Sequence, residues 1–491
     1  MASQTKIYDQ KKLLGQVYTP LHIVEKILQD AGFYHLNFDQ DLVLDPACGD
    51  GRFMVPMAQF LIKTCEPDQL KRRLENMHGW DISEEAINQC RQNLTDLVSP
   101  LNLEVDWKLL NINALEQRNG PEKFDLIVGN PPYIRIQHLP VAQRRFIRET
   151  YSFCRSGSTD AYIAFFELAS ALLTEKGVCG FVTPNSFLNS QTGKPLRSYF
   201  RTQQNLIRIT NYGTKRLFEK TGTYAAITVF GKQFSKEFIY ETSDHEWNYA
   251  NRRIPFSELE NENQWHLSVN RFAHPIGTKL GDLCQISVGI TTLADGFYLF
   301  TIAEDDGDIV KAVSKNGMKV AIEKALLKPI VKGSTLKNAS DPVREFILFP
   351  YEKNDSGKNK IVPEELLQSR YPLTYKYLLS IKKDLQKRDN GKPNRVAWYA
   401  FGRSQGLDSS FGTKIVFSPM NRFPNFILYE NPECSVYSGY FIKYDGDYQA
   451  LLKQLNTKRM ADFIAVAGRD FQGGYKGYNK KVVENFIITG L

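Results

Sequence analysis

Asp41-Leu42-Val43-Leu44-Asp45-Pro46-Ala47-Cys48-Gly49-Asp50-Gly51-Arg52-Phe53 is an apolar run that stops at an acid, turns on glycines and leads into a segment of helical spacing. It reads as a buried strand, a tight turn and a helix start. Strand-like and helix-like segments keep alternating around it. Residues 53–63 and 83–97 have helical periodicity, with Ser83 placed as an N-cap. Residues 77–80, 109–112, 124–129, 177–183, 206–211 and 225–231 read as strands, and 162–173 as a helix. The alternation predicts an α/β fold, a Rossmann-like doubly wound domain with a mostly parallel sheet. It fades after residue 235. From Thr278 onward short strands, aromatics and turn residues suggest an α+β domain, with a boundary near residue 270. Residues 351–360 and 382–395 read as exposed loops.

The chain has 491 residues, enough for two or three domains, and 42% hydrophobic content. Its 62 Lys and Arg against 54 Asp and Glu give a net charge of +8, which permits a polyanionic partner without demanding one. Seven cysteines without a CxxC pair argue against a disulfide framework or a zinc site, and no metal is expected. With no apolar signal core and no long apolar stretch, a soluble intracellular protein without a membrane partner is expected.

In open α/β sheets, ligands bind at the carboxyl ends of strands, where Asp45 to Gly51 falls. Acids at Asp45 and Asp50 disfavour a phosphate, and the turn lacks the Lys-Ser/Thr of a P-loop. An acid beside Gly-rich N–H groups suits a zwitterion, although an ordinary strand–helix turn would look the same. Asp81, ending the next strand, is placed to accept from ribose hydroxyls or to cap a helix. A methionine-like zwitterion with a ribose describes S-adenosylmethionine.

Asn130-Pro131-Pro132-Tyr133 follows the apolar run Phe124 to Gly129. Two prolines stiffen the chain and remove two N–H donors. An amide, a stiff carbonyl and an aromatic ring then converge, which suits a planar amine: two acceptors for its N–H bonds and a face for stacking. A plain Pro-rich loop remains the alternative.

Together these motifs resemble the gamma-class, Taq-type adenine-N6 DNA methyltransferases of type II restriction–modification systems. The resemblance covers nearly the whole chain. It rests on Gly15-Gln16-Val17-Tyr18-Thr19-Pro20, then DPACGDG, Asp81, NPPY and Gly180-Phe181-Val182-Thr183-Pro184, in that order. It implies a catalytic domain over 1–270 and a DNA target-recognition domain over 271–491. Transfer would go from S-adenosylmethionine to the N6 of an adenine flipped out of duplex DNA. Asn130 and Pro131 would accept from the amine and Tyr133 would stack on the base. Thr19, Asp45, Ala47, Cys48, Gly49, Asp81, Ile82, Asn130 and Phe165 would hold the cofactor. Asn113 would contact its adenine where the family usually has Asp. Val17 and Phe218 would wall the target-base pocket.

In the second half, Lys332, Arg395, Arg403, Arg422 and Lys476 are candidates for DNA contact. Residues 471–476 lie where the family returns to the DNA cleft. Residues 135–155 are placed like the loop that meets DNA beside the target base, and are expected to take shape on DNA. A separate cognate restriction endonuclease and a bacterial or archaeal cytoplasm are implied. No nuclease motif is read in this chain, and only about fourteen residues precede GQVYTP. Other readings stay open: transfer to a protein glutamine amide or an RNA amino group, transfer to cytosine N4, and a non-catalytic DNA-specificity subunit.

Overall fold

A computed structural model describes residues 19–490, except 156, 158, 219–222, 245, 260–264, 266 and 270–275. The chain divides into two compact units, 1–271 and 272–491. In the first unit β1 (Val43–Asp45), β2 (Met77–Asp81), β3 (Lys108–Asn111), β4 (Phe124–Gly129), β5 (Leu173–Pro184), β6 (Leu206–Asn211), β7 (Ala225–Gly231), β8 (Glu237–Ser243) and β9 (Tyr249–Pro255) make one sheet. Their order is β3-β2-β1-β4-β5-β7-β6-β8-β9. Strands β1 to β5 run parallel, β7 is inserted antiparallel between β5 and β6, and β8 runs parallel to β6. The order reverses between β1 and β4, so a crevice opens at their carboxyl ends.

Side chains that alternate along the strands feed two cores. Phe181 packs with Phe166, Phe200 and Phe230 on one face, whereas Val182 packs with Ile27, Met54 and Val128 on the other. Helices α1 (Leu21–Asp30), α2 (Met54–Thr64) and α4 (Glu84–Val98) bury apolar stripes on the second face; α3 is Pro67–Glu75. In α4 the stripe is Ile87, Cys90, Leu94 and Val98, and Ser83 caps the start by accepting from Ala86 N. Each fully buried aliphatic side chain contributes roughly 1.5–3 kcal/mol, so the stripe outweighs the modest helix propensity of its Asn, Gln and Thr.

The polar composition of residues 237–255 hides two strands that the alternation does not predict. Strand β9 is an exposed edge, and β8 carries an internal acid, Glu241. Glu241 is buried, 2.6 Å from Lys26 Nζ and 2.9 Å from Arg208 Nη1, and accepts from Thr210 Oγ1. It therefore ties α1 to the far half of the sheet.

Residues 135–155 are packed into the same unit. They form a turn at Ile136–His138, helix α5 (Val141–Thr150) and a turn at Ser152–Cys154. Ile136, Ile147, Tyr151 and Phe153 are buried. The buried Glu167 of α6 (Tyr162–Leu172) accepts from Ser152 Oγ and Phe153 N, each at 3.0 Å. The segment's arginines outnumber these apolar anchors, which give it no clear hydrophobic period.

The second unit is α+β. A six-stranded sheet contains Lys319–Glu323, Ile309–Ser314, Leu299–Asp305, Glu345–Leu348, Leu327–Lys332 and Ser435–Tyr437 in that order. A four-stranded sheet contains Gln285–Val288, Tyr440–Lys443, Lys414–Phe417 and Phe426–Tyr429. Helices Tyr448–Leu455 and Lys458–Ala467 share a core with residues of the smaller sheet. The expected loops at 351–360 and 382–395 are partly regular. Tyr351–Lys353 pairs with Asn359–Ile361, and Lys382–Gln386 is helical because Ile381 and Leu385 are buried. The fold predicted from the sequence, a Rossmann-like doubly wound domain followed by an α+β domain, is the fold observed.

Glu241→Ala leaves Lys26 and Arg208 to share Asp30 alone, at 3.0 and 3.5 Å, strips Thr210 of its acceptor, and is expected to lower unfolding free energy by about 2–3 kcal/mol. Arg253→Ala, at an exposed pair with Glu237, should change it by less than about 1 kcal/mol. Urea denaturation of the two variants checks the contrast.

Candidate functional site

Strand β1 ends on Asp45, which is 1% exposed. Its Oδ1 accepts from Ala47 N at 3.0 Å. Burial pushes the carboxyl up to about 8; the Ala47 N–H opposes this and the charge of Asp81 adds to it. Gly129, ending β4, is required here, because a Cβ at that position would lie 2.7 Å from Asp45 Oδ1. The turn after β1 closes on Gly49, whose φ of +54° is left-handed, with open space where a side chain would project. Gly49 N donates to Asp81 Oδ2 at 3.0 Å and Ser83 N to Asp81 Oδ1 at 2.8 Å. Burial raises the Asp81 carboxyl, and the Ser83, Gly49 and Ile82 N–H groups hold it back.

Asn130 follows Gly129 and donates from Nδ2 to Thr19 Oγ1 at 3.1 Å. That bond joins the end of β4 to the residues just before α1 and orients the amide. Pro131 is buried. Tyr133 donates its hydroxyl to Val182 O at 3.2 Å. Its ring meets Tyr162 and Phe218 edge-on, with centroids 6.3 and 6.1 Å away. Burial raises the phenol well above its ordinary range.

A cleft of about 1110 Å³ opens above these strand ends. Thr19, Asp45, Ala47, Cys48, Gly49, Asp81, Ile82, Asn113, Asn130 and Phe165 all line it. Tyr133 and Phe218 lie beside one another outside that lining, and Val17 lies outside the described residues. Asn113 caps the short turn Ala114–Gln117: its Oδ1 accepts from Leu115 N at 3.2 Å, and its Nδ2 donates to Glu116 Oε1 at 3.0 Å. Sequence reasoning missed Ile112, Ile134, Leu139, Phe146 and Glu116, which also line the cleft. For Leu139 and Phe146 a signal existed: Pro140 opens α5, and apolar residues recur there at helical spacing.

The cationic candidates of the second unit do not form one group. Arg403 is held 3.2 Å from Asp389, so its guanidinium is engaged. Lys332 ends a strand of the larger sheet, and Arg395 lies in an exposed turn. Arg422 and Lys476 lie at the same small sheet, on residues that alternate between its two faces. Asn421 pairs with Lys476 across Met420–Asn421 and Tyr475–Gly477, and Arg422 lies over the Tyr475 ring at 5.0 Å. Among the described residues, no group of three His, Cys, Asp or Glu could hold a metal ion, and no helix is long and apolar enough to cross a membrane.

A carboxyl raised above its unfolded value stabilises fully below that value, and this contribution fades as pH rises through the folded one. Between about pH 4 and pH 8 the protein is therefore expected to lose stability relative to Asp45→Asn. The slope approaches ~1.4 kcal/mol per pH unit at most. Urea midpoints of the two proteins across this window measure it; parallel curves would contradict the buried acid.

Residues 42–218 match the model of the Eco57I restriction-modification methylase family. The type II restriction enzyme and methyltransferase RM.Eco57I of Escherichia coli is 22% identical over 80% of this chain and 48% of its own length. The type II methyltransferase M.BanIII of Aneurinibacillus aneurinilyticus is 24% identical over 91% of this chain and 83% of its own. The chain thus spans about half of the first relative and most of the second. Among solved structures, the type IIL restriction-modification enzyme MmeI in complex with DNA has a TM-score of 0.60 at 14% identity, covering 97% of this chain and 66% of MmeI. At that identity the likeness is one of fold. The relatives found are type II restriction–modification enzymes and methyltransferases, the group that the motifs resemble, and residues 42–218 are the part similar to the Eco57I methylases.

Proposed function

We propose that the protein is a sequence-specific DNA methyltransferase. It would transfer a methyl group from S-adenosylmethionine to the N6 amine of an adenine flipped out of duplex DNA. The observation that carries this reading is the placement of Asn130 at the end of β4. It is hydrogen-bonded to Thr19 in the same cleft that Asp45 and Asp81 line.

The residues present fit the cofactor. A buried acid at Asp45 suits an ammonium, open space over left-handed Gly49 admits close approach, and Asp81 suits vicinal hydroxyls. Ile82, Ile112 and Phe165 offer apolar walls for a base. When bound, S-adenosylmethionine supplies a methyl group on a positively charged sulfur, which an amine nitrogen takes directly.

The chain's own part is positioning. Thr19 takes the Nδ2 end of Asn130, so the amide oxygen is the end offered as acceptor to an N–H of the base. The Pro131 carbonyl, held in a stiff segment by the two proline rings, accepts the second N–H. Both bonds draw the amine hydrogens toward the protein and leave the nitrogen lone pair facing the cleft. The Tyr133 ring, held through its hydroxyl by Val182 O, offers a stacking face. Flipping costs a few kcal/mol, which stacking and the two hydrogen bonds offset. The second unit is assigned the choice of DNA sequence, with Lys332, Arg395, Arg403, Arg422 and Lys476 as its candidate cations. The protein is proposed to work in the cytoplasm with a separate endonuclease acting on the same site; RM.Eco57I, by its name, joins both activities in one protein, whereas M.BanIII is named as a methyltransferase, and MmeI's structure in complex with DNA supports DNA as the substrate.

Long-read modified-base sequencing of DNA from cells expressing the protein should reveal N6-methyladenine at one recurring sequence. Unmodified DNA, with label from the cofactor entering RNA or protein instead, would overturn the assignment.

Asn130→Ala should abolish methyl transfer while cofactor affinity, read by calorimetry, changes by less than about tenfold. Tyr133→Phe, which loses one hydrogen bond worth about 0.5–1.5 kcal/mol, should be mild, and Tyr133→Ala severe. Equal losses in the two Tyr133 variants would argue against stacking.

A further inference from the structure

Asn113 stands where an acceptor for the cofactor's adenine was expected, yet its amide is engaged at both ends. The oxygen accepts from Leu115 N and so closes the turn after β3, which leaves it one lone pair and fixes its direction toward the backbone of that turn. The nitrogen donates to Glu116 Oε1. An amide held this way turns its N–H₂ end outward to Glu116, and an N–H₂ group cannot receive the hydrogens of an amine. Glu116 is exposed on the rim of the cleft and lines it together with Ile112, Asn113 and Phe165. Its Oε1 is fixed by Asn113, and among the described residues its Oε2 has no hydrogen-bond partner. A carboxylate anchored through one oxygen offers the other in a set direction. It accepts more strongly than a neutral amide, because one partner is charged.

We infer that Glu116 is the residue that selects the adenine base of the cofactor, by accepting from its 6-amino group, and that Asn113 is a positioning residue that orients Glu116. This rests on the S-adenosylmethionine reading above and names the residue that makes that site specific for a 6-amino purine. The 6-amino group donates to a carboxylate. A 6-oxo group in its place would face the carboxylate oxygen with its own lone pairs, so the site discriminates by a missing bond and a repulsion together.

Calorimetric titration with S-adenosylhomocysteine and with S-inosylhomocysteine tests the assignment without any methyl transfer. The wild-type protein should bind the adenosyl compound more tightly by about tenfold or more, the range for a hydrogen bond to a charged group. Glu116→Ala should bring the two affinities to within about threefold, through loss of adenosyl binding and not gain of a new contact. Glu116→Gln, which keeps an acceptor without the charge, should fall between. Asn113→Ser keeps an oxygen for Leu115 N but drops the bond to Glu116, and should narrow the preference only in part. Retained inosyl binding shows that each variant is folded. A wild-type preference that persists in Glu116→Ala, or that vanishes in Asn113→Ser alone, overturns the inference. Failure of the wild-type protein to bind either compound overturns the cofactor reading itself.

Discussion

A carboxylate buried at the point where the strand order reverses is the constraint on which the rest of the site depends. Asp45 is buried, and among the described residues the backbone N–H that answers it directly is that of Ala47. Such a group is costly to ionise unless a cation pairs with it, and so it holds its proton to higher pH than an exposed acid. Neighbouring elements are shaped around that acid. Strand β4 must end on a residue without a side chain, because the carboxylate occupies the space. The turn must enter the left-handed region at Gly49, so that its N–H can reach Asp81 rather than the sheet. The amide that follows Gly129 is thereby delivered to the same crevice.

Positions far apart in the chain meet there through polar contacts that the core alone would not specify. Thr19 and Asn130 are separated by 111 residues and joined by one hydrogen bond. The helix that follows Thr19 is tied down by Lys26 to Glu241, an acid in the middle of a strand on the far side of the sheet. The buried Glu167 does similar work for residues 152–153, which close the end of α5. Buried acids thus set the two segments that flank the cleft, α1 and α5, while the alternating apolar strands set its floor.

Much of the first unit was legible in the chain because its strands are short, apolar and separated by amphipathic helices, so periodicity alone marks them. The chemistry was legible because it is local: Asp45 with Gly49, and Asn130 with Tyr133, each lie within a few residues at a strand end. The failures share a cause. Strands β8 and β9 carry charges that are paired across the sheet, and a pairing partner 33 residues away, such as Arg208 for Glu241, leaves no periodic trace. Residues 135–155 look polar because their arginines outnumber the few apolar anchors that decide their packing. In the second unit, short strands of mixed burial gave little period to read.

By itself the sequence determined the doubly wound architecture and the two strand-end motifs. Both depend on residue types acting over one or two turns of chain, where sterics and hydrophobic period dominate. Tertiary structure alone decided which side chains meet. It turned the amide of Asn113 toward Glu116, placed Thr19 against Asn130, and left Tyr133 and Phe218 beside the cleft and not in its lining. Those outcomes depend on hydrogen-bond direction and on contacts between distant segments. Direction and distance exist only once the strands have been laid side by side.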